Sequence, residues 1–451
     1  MNLNNLSIEE LEAMLEQKKQ NSTLVLPDVD ARNKPLGTIN NSKHLFSHYN
    51  INIRHNEMTK DVEIDIPGKT FFKDTELNAK LVVIKDLAIQ HGLPPQHVLD
   101  AVLLVANENP YHPVRDWIDS QVWDGKSRLQ DFYNTIEENL DSHLSPQEYH
   151  ELKEIMMRKW ALSAVAALYH PNFSCEGVLC LYGDQAAGKT SWAESLIPAE
   201  NKHVWIKDAV ILDPKDKDSV MKSVSTWITE LGELDATFRR SDIEAIKGFV
   251  TEKVDKLRPP YERKMNSYDR KTVFYGTINR EEFLQDRENR RFWVIDVKKV
   301  NFNSLEVAQF WAEVKNLYLT ICDKISTPLD RIKNNEYGWF LSPDERSRLQ
   351  RLQNPYKSIN PVEQVLQHNL LPPGAITNGE WLNCTTILQR LGVPHGSKEA
   401  NAASIWLKDG GYQRRTSDKY YHVEFRFDDT EVDHAAVLRS KTKALNKRYG
   451  H

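Results

Sequence analysis

Eight consecutive residues, Gly183-Asp184-Gln185-Ala186-Ala187-Gly188-Lys189-Thr190, constrain this chain more than any others. They fit G-x-x-x-x-G-K-[S/T] without a mismatch, and that pattern requires a strand before it and a helix after it. Val178 to Tyr182 is a short apolar run suited to a buried parallel strand. Ser191-Trp192-Ala193-Glu194-Ser195-Leu196 is amphipathic and continues as helix. The glycines let the backbone curl so that its N–H groups surround phosphates. The helix start adds a favourable dipole. Lys189 neutralises the β- and γ-phosphates, and the Thr190 hydroxyl ligates Mg²⁺. Residues 183–190 together with Ser191 are expected to bind Mg-ATP.

The surroundings have the strand–loop–helix alternation of an α/β nucleotide-binding core from 177 to 300. A second buried strand, Val224 to Thr229, runs into Glu230-Leu231-Gly232-Glu233. One carboxylate there can stand on the metal side and the other can polarise an attacking water. Glu230 is assigned to the metal and Glu233 to the base, with the reverse open. A third strand, Thr272 to Ile278, ends in Asn279, a polar residue placed to orient water at the γ-phosphate. Arg290 and Arg291 precede the apolar run Phe292 to Ile295. Such a pair can place a guanidinium at a neighbouring subunit's γ-phosphate, or can form a surface ion pair with Asp286 or Glu288.

Outside this core the chain divides into further segments. Residues 1–75 read as an N-terminal helix over 6–20 with a Ser7/Glu10 capping box, a polar linker over 21–40 and a small strand pair over 50–73. Asp61, Glu63 and Asp65 alternate along that pair, either as a solvated strand face or as a metal-binding carboxylate set. Residues 76–170 read as a helical domain ending in a long helix from Pro146 to Tyr169, 171–330 as the ATPase core, and 331–451 as a helical linker, a winged-helix-like domain and a basic tail. The winged-helix order is a helix over Trp381–Leu391, a turn, a helix over Glu399–Lys408 and a hairpin over Gln413–Phe427. No run of about 18 apolar residues suggests a membrane span. The N-terminus lacks the features of a signal peptide, so a cytoplasmic location is expected. The cysteines, Cys175, Cys180, Cys322 and Cys384, show no C-x-x-C spacing and fit reduced, structural thiols. Net charge is −5, so any nucleic acid must be met by local basic patches.

The order of motifs resembles the virulence-associated E (VapE) family, replication proteins of phages and mobile elements related to superfamily 3 helicases. The matching residues are 183–190, Trp227 to Leu234, Asp242-Ile243 with Lys247, Val254 to Tyr261, Gly276 to Asn279, and Asn289 to Trp293. Upstream, Asn109 to Arg115 and Trp123-Asp124-Gly125 also match. Two positions depart: Glu288 stands where the family usually has glycine, and Ile278 where a small hydroxyl residue is usual. The resemblance implies an AAA+-like core that assembles as a ring, a hexamer, and translocates on single-stranded DNA. Glu230 and Glu233 would fill the Walker B role, Asn279 sensor 1, and Arg290, ahead of Arg291, the arginine finger. A primase domain does not fit in the N-terminal residues, so a primase or replication initiator would be a separate partner.

Superfamily 3 proteins place a hairpin before the sensor strand, pointing into the ring channel. Here that window carries Arg258, Tyr261, Arg263, Lys264, Arg270 and Lys271, a mixture suited to phosphates and stacked bases, or else a solvated basic loop. The C-terminal unit could read duplex origin DNA or dock a protein. An ATP-dependent DNA helicase is the leading expectation. An ATP-switched DNA-binding assembly, loader or regulator that hydrolyses ATP without unwinding is the alternative.

Overall fold

The computed structural model describes residues 24–139, 145–232, 234, 243–258, 265–278, 290–302, 305–324, 338–353, 361–415 and 419–426. These fall into two compact units, one running to Gln353 and one from Pro361 onward. The expected N-terminal helix over 6–20 and the basic tail over 439–448 lie outside the described residues.

The first unit opens with α1 (Ile39–His48), the strands β1 (Asn52–Asn56) and β2 (Asp61–Asp65), α2 (Glu76–Gln90), α3 (Pro95–Glu108) and β3 (Pro110–Tyr111). β1 is central, antiparallel to β2 and parallel to β3. Strand alternation turns Ile53 and Ile64 inward, where Ile84, Ala88, Val98, Ala101 and Val102 from the helices cover them in one core. The helices over 76–108 therefore belong with the small sheet and not with the later helices, a correction to the boundary at 75/76. Residues 24–38 are no linker either. Asn41 is buried and ties them down, accepting from the Asp28 N–H (3.0 Å) and donating to the Asp28 and Leu36 carbonyls (2.7 and 2.8 Å). Of the three alternating carboxylates, Glu63 accepts from Asn56 Nδ2 (2.7 Å) and from the Tyr111 hydroxyl, so it serves the local fold.

Next come α4 (Pro113–Asp119), α5 (Leu129–Tyr133), β4 (Ile136–Glu138) and α6 (Pro146–Tyr169). α6 starts where expected because the Ser145 side chain caps it, accepting from the Glu148 N–H. Its C-terminal half is buried all round, as suits a helix laid across a sheet. That sheet contains β5 (Val178–Tyr182), β6 (Ile206–Val210), β7 (Ile228–Leu231), β10 (Val273–Ile278) and β11 (Phe292–Val300) in the order β4-β11-β5-β10-β7-β6. All neighbours are parallel except β4, which runs antiparallel to β11 at the edge. Between these strands lie α7 (Lys189–Glu194), α8 (Lys202–Trp205), α9 (Lys217–Ser223), α10 (Ile243–Thr251) and a separate hairpin, β8 (Val254–Leu257) with β9 (Asn266–Asp269). The unit closes with α11 (Val307–Asp323) and α12 (Pro343–Gln353).

Three buried tryptophans tie this layer together, each donating its indole N–H to a backbone carbonyl. Trp160 donates to Phe274 (2.8 Å), Trp227 to Ala164 (2.9 Å) and Trp311 to Leu196 (2.8 Å). The small sheet is anchored through Lys60, 3% exposed, whose Nζ donates to the Met58 and Val224 carbonyls.

The second unit holds α13 (Pro361–Asn369), β12 (Glu380–Leu382), α14 (Cys384–Arg390), α15 (Ser397–Asp409) and β13 (Tyr421–Val423). Its start falls after Gln353, later than the expected boundary at 331. Trp381 is in a strand, not a helix, because β12 pairs antiparallel with β13, setting Trp381 opposite His422. The helix begins only at Cys384, where the Asn383 side chain accepts from the Thr386 N–H (2.8 Å). Within the expected hairpin over 413–427, Arg414 pairs antiparallel with Tyr421, the Arg415 N–H donating to the Tyr420 carbonyl and the His422 N–H to the Gln413 carbonyl (2.9 Å each); residues 416–418 and 427 lie outside the described residues.

Candidate nucleotide site

β5 delivers the glycine-rich loop. Gly183 opens it at φ +147°, where a Cβ would lie 2.3 Å from the Val297 carbonyl oxygen of β11, so only glycine fits. Gly188 closes it in the left-handed region, φ +85°, as the cap of α7. The Gly183 N–H donates to the Ile278 carbonyl at the tip of β10 (3.3 Å), and the Val300 N–H of β11 donates to the Ala187 carbonyl (3.0 Å). The loop is thus strapped to both strands that flank β5. α7 is six residues long, ending two residues before the expected Leu196.

Lys189 is 6% exposed and curls back under the loop, donating to the Gly183 and Asp184 carbonyls at 2.6 Å each. Among the described residues, two of its three N–H groups are used and one remains for a ligand. Burial lowers its pKa below the ordinary lysine value. Gln185, Ala186, Gly188, Lys189, Thr190, Ser191 and Thr277 line a pocket of 310 Å³. Thr277 comes from β10, so the pocket spans the loop and the neighbouring strand. The chain leaves β5 toward the β6 edge and leaves β10 toward β11 on the other side. Ligands of open α/β sheets sit where the carboxyl ends of adjacent strands diverge in this way.

β7 is separated from β5 by β10, with Tyr275 in register with Glu230. Glu230 is 1% exposed; it accepts from Thr277 Oγ1 (2.7 Å) and the Ala209 N–H (3.2 Å). Burial raises its pKa above the usual carboxylate range against those two hydrogen bonds, and Asp208 adds to the rise. Asp208 itself is raised by burial and by Glu194 of α7. The Tyr275 hydroxyl donates to the Thr190 carbonyl (3.1 Å), joining β10 to the first turn of α7. Thr190 and Glu230 are the described side chains suited to the metal side. Among the described residues no three His, Cys, Asp or Glu side chains gather as a metal cage. Glu233 and Asn279 lie outside the described residues.

Arg290 and Arg291 sit at the amino end of β11, where the Arg291 carbonyl accepts from the Val178 N–H (2.7 Å) and the Arg290 carbonyl from Trp293 Nε1 (2.9 Å). Arg290 is exposed, whereas Arg291 is half-buried and its Nε has no hydrogen-bond partner among the described residues. The loop meets the opposite end of that strand, at Val297 to Val300, roughly 25 Å away at ~3.3 Å per residue. Neither guanidinium reaches the loop of its own chain.

The model of the virulence-associated protein E-like domain matches residues 118–358, more than half of the chain. The chain belongs to that family. The matched span holds the whole six-stranded sheet, the loop and the hairpin of this virulence-associated protein E-like chain. Among solved structures it is similar to the apo structure of the NrS-1 C terminal region (305-718), at 11% identity and a TM-score of 0.39, covering 85% of this chain and 97% of that one. An A form apo structure of the NrS-1 C terminal region matches at 11% identity and a TM-score of 0.35, covering 72% and 76%. No curated protein matches the chain in sequence. Among the described residues no helix is long and apolar enough to cross a membrane.

The expected hairpin precedes β10 in this virulence-associated protein E-like core, with Leu257 opposite Asn266 in its last described pair. Arg258 is exposed beside the tip, while Tyr261, Arg263 and Lys264 lie outside the described residues. Arg270 is a correction. It is 1% exposed and cannot meet a phosphate, because its guanidinium is held bidentately by Asp255 (2.7 and 2.6 Å) and donates to the Phe249 carbonyl (3.1 Å). Lys271 is half-buried and donates to the Leu168 carbonyl (3.4 Å), which leaves it a weak candidate for DNA. The motif reading missed Thr277, Tyr275 and Asp208. Thr277 had a signal, since a hydroxyl was sought at the neighbouring position 278, and Ile278 proves fully buried.

Proposed function

We propose that this chain is an ATPase with an AAA+-like P-loop core. It assembles as a ring, a hexamer, and acts as a DNA helicase translocating on single-stranded DNA in the replication of a phage or mobile genetic element. One observation carries the ATPase reading: a cradle that only glycines can form, Lys189 beneath it, and Glu230 linked through Thr277 to the same pocket. Bound Mg²⁺ would neutralise phosphate charge, and Thr190 and Glu230 would hold it. Lys189 would donate its remaining N–H to the phosphates, and Glu233 and Asn279 would position the attacking water.

The arginines support the ring reading. Their distance along β11 from the loop supports Arg290, with Arg291 beside it, serving the site of a neighbouring copy. DNA contact rests on Arg258, Tyr261, Arg263 and Lys264, with the C-terminal unit reading duplex origin DNA and a separate primase or initiator as partner. The burial of Arg270 thins the cation set of the hairpin and favours the second reading, an ATP-switched assembly or loader that does not unwind. A forked-duplex assay with ATP, run beside Lys189→Ala, separates the two. Strand separation that vanishes in the variant supports the helicase. ATP hydrolysis without separation supports the second reading.

A further inference from the structure

Phe302 stands two residues past the end of β11 and is 49% exposed. A single exposed aromatic is ordinary on a protein surface, but the position of this one is not. A Cβ built on Gly188 would lie 2.9 Å from Phe302 Cζ and 3.3 Å from Cε2, so one edge of the ring rests against the residue that closes the phosphate loop. The rest of the ring is open. The backbone leading to it is fixed on two sides. The Val300 N–H is bonded to Ala187 of the loop, and the Asn301 N–H donates to the Thr135 carbonyl (2.8 Å) while its Nδ2 donates to the Asn134 carbonyl (3.1 Å). Phe302 is therefore a held aromatic surface against Gly188, one of the residues that line the pocket with Lys189 and Ser191.

Phosphates lodged against Gly188 and Lys189 leave the base one ribose away, and a base has a flat π-face that an aromatic ring binds regardless of its edge pattern. We propose that Phe302 is the stacking platform for the base of the bound nucleoside triphosphate. This rests on the nucleotide-binding reading above and adds the part of the ligand that the loop motif does not address. It also gives the loop glycine a second reason: a side chain at 188 would displace the platform as well as strain the backbone.

The test compares Mg-ATP with Mg-tripolyphosphate, which has the phosphates and no base, by titration calorimetry on the full chain. Phe302→Leu keeps an apolar side chain against Gly188 and removes the π-face. It should weaken ATP binding between about 5- and 150-fold, the range seen when base stacking is removed, and leave tripolyphosphate binding within about two-fold. Phe302→Trp should restore ATP binding, and in steady state the leucine variant should raise KM with kcat intact. Equal weakening of both ligands would mean that the ring only supports the loop, and unchanged ATP binding would mean that it makes no contact; either overturns the platform. Failure of the unsubstituted chain to bind both ligands would instead remove the nucleotide-binding reading and the platform with it.

Discussion

Replacing Arg270 distinguishes a structural cation from a nucleic-acid contact. Its side chain is fully enclosed, fork-bonded to Asp255, which is itself 1% exposed, and its guanidinium lies 4.6 Å from the Phe249 ring centroid and 5.4 Å from that of Phe274. Arg270→Ala leaves the Asp255 carboxylate buried and unpaired, a loss of about 3–5 kcal/mol, and forfeits the ring contacts, about 1 kcal/mol more. The double variant Asp255→Leu/Arg270→Met removes both charges and refills the volume. Such replacements are neutral or stabilising by about 1–4 kcal/mol, so the double variant should recover most of the loss. Urea unfolding followed by tryptophan fluorescence reports this unit directly, since Trp160, Trp192, Trp227, Trp293, Trp311 and Trp339 are all buried within it. A normal midpoint for Arg270→Ala, together with weaker single-strand binding, would refute the structural assignment and return Arg270 to the DNA set.

Other outcomes follow from the same geometry. Gly183→Ala forces a Cβ to within 2.3 Å of the Val297 oxygen and should abolish ATP binding, at a strain of roughly 1–3 kcal/mol, checked by calorimetry and thermal melting. Glu230→Gln should slow hydrolysis by at least about 100-fold with ATP still bound. Burial raises the folded-state pKa of Glu230, so its ionisation destabilises the fold as pH rises above the usual carboxylate range, and the amide should remove that decline in a pH series of urea midpoints. His112 is buried and depressed to about 3 from 6.5, so the unfolded chain binds the extra proton. Stability should fall as pH drops below 6.5 and keep falling toward about 3, and His112→Gln should flatten this acid limb. Mixing Arg290→Ala with Lys189→Ala chains should restore some ATPase activity if the site is shared, and inactive mixtures would argue against a trans arginine.

The sequence determined what depends on neighbours in the chain. The strand–loop–helix at 178–194 follows from contiguous residues, as does the start of α6 after Ser145, because caps and glycine dihedrals act over a few residues. Asn383 carries the same kind of local cap signal for α14. What the chain order leaves open is which strands lie side by side. Only the sheet put β10 between β5 and β7, and that placement makes Thr277 the link from Glu230 to the pocket. Arg270 reads as a surface cation until the fold brings Asp255 and two phenylalanines around it. Trp381 becomes strand because its partner is some forty residues later. Phe302 is an unremarked residue in the sequence, and its position against Gly188 exists only because β11 packs beside the loop strand. In each case the deciding contact is between residues far apart in the chain, where burial and pairing outweigh local preference.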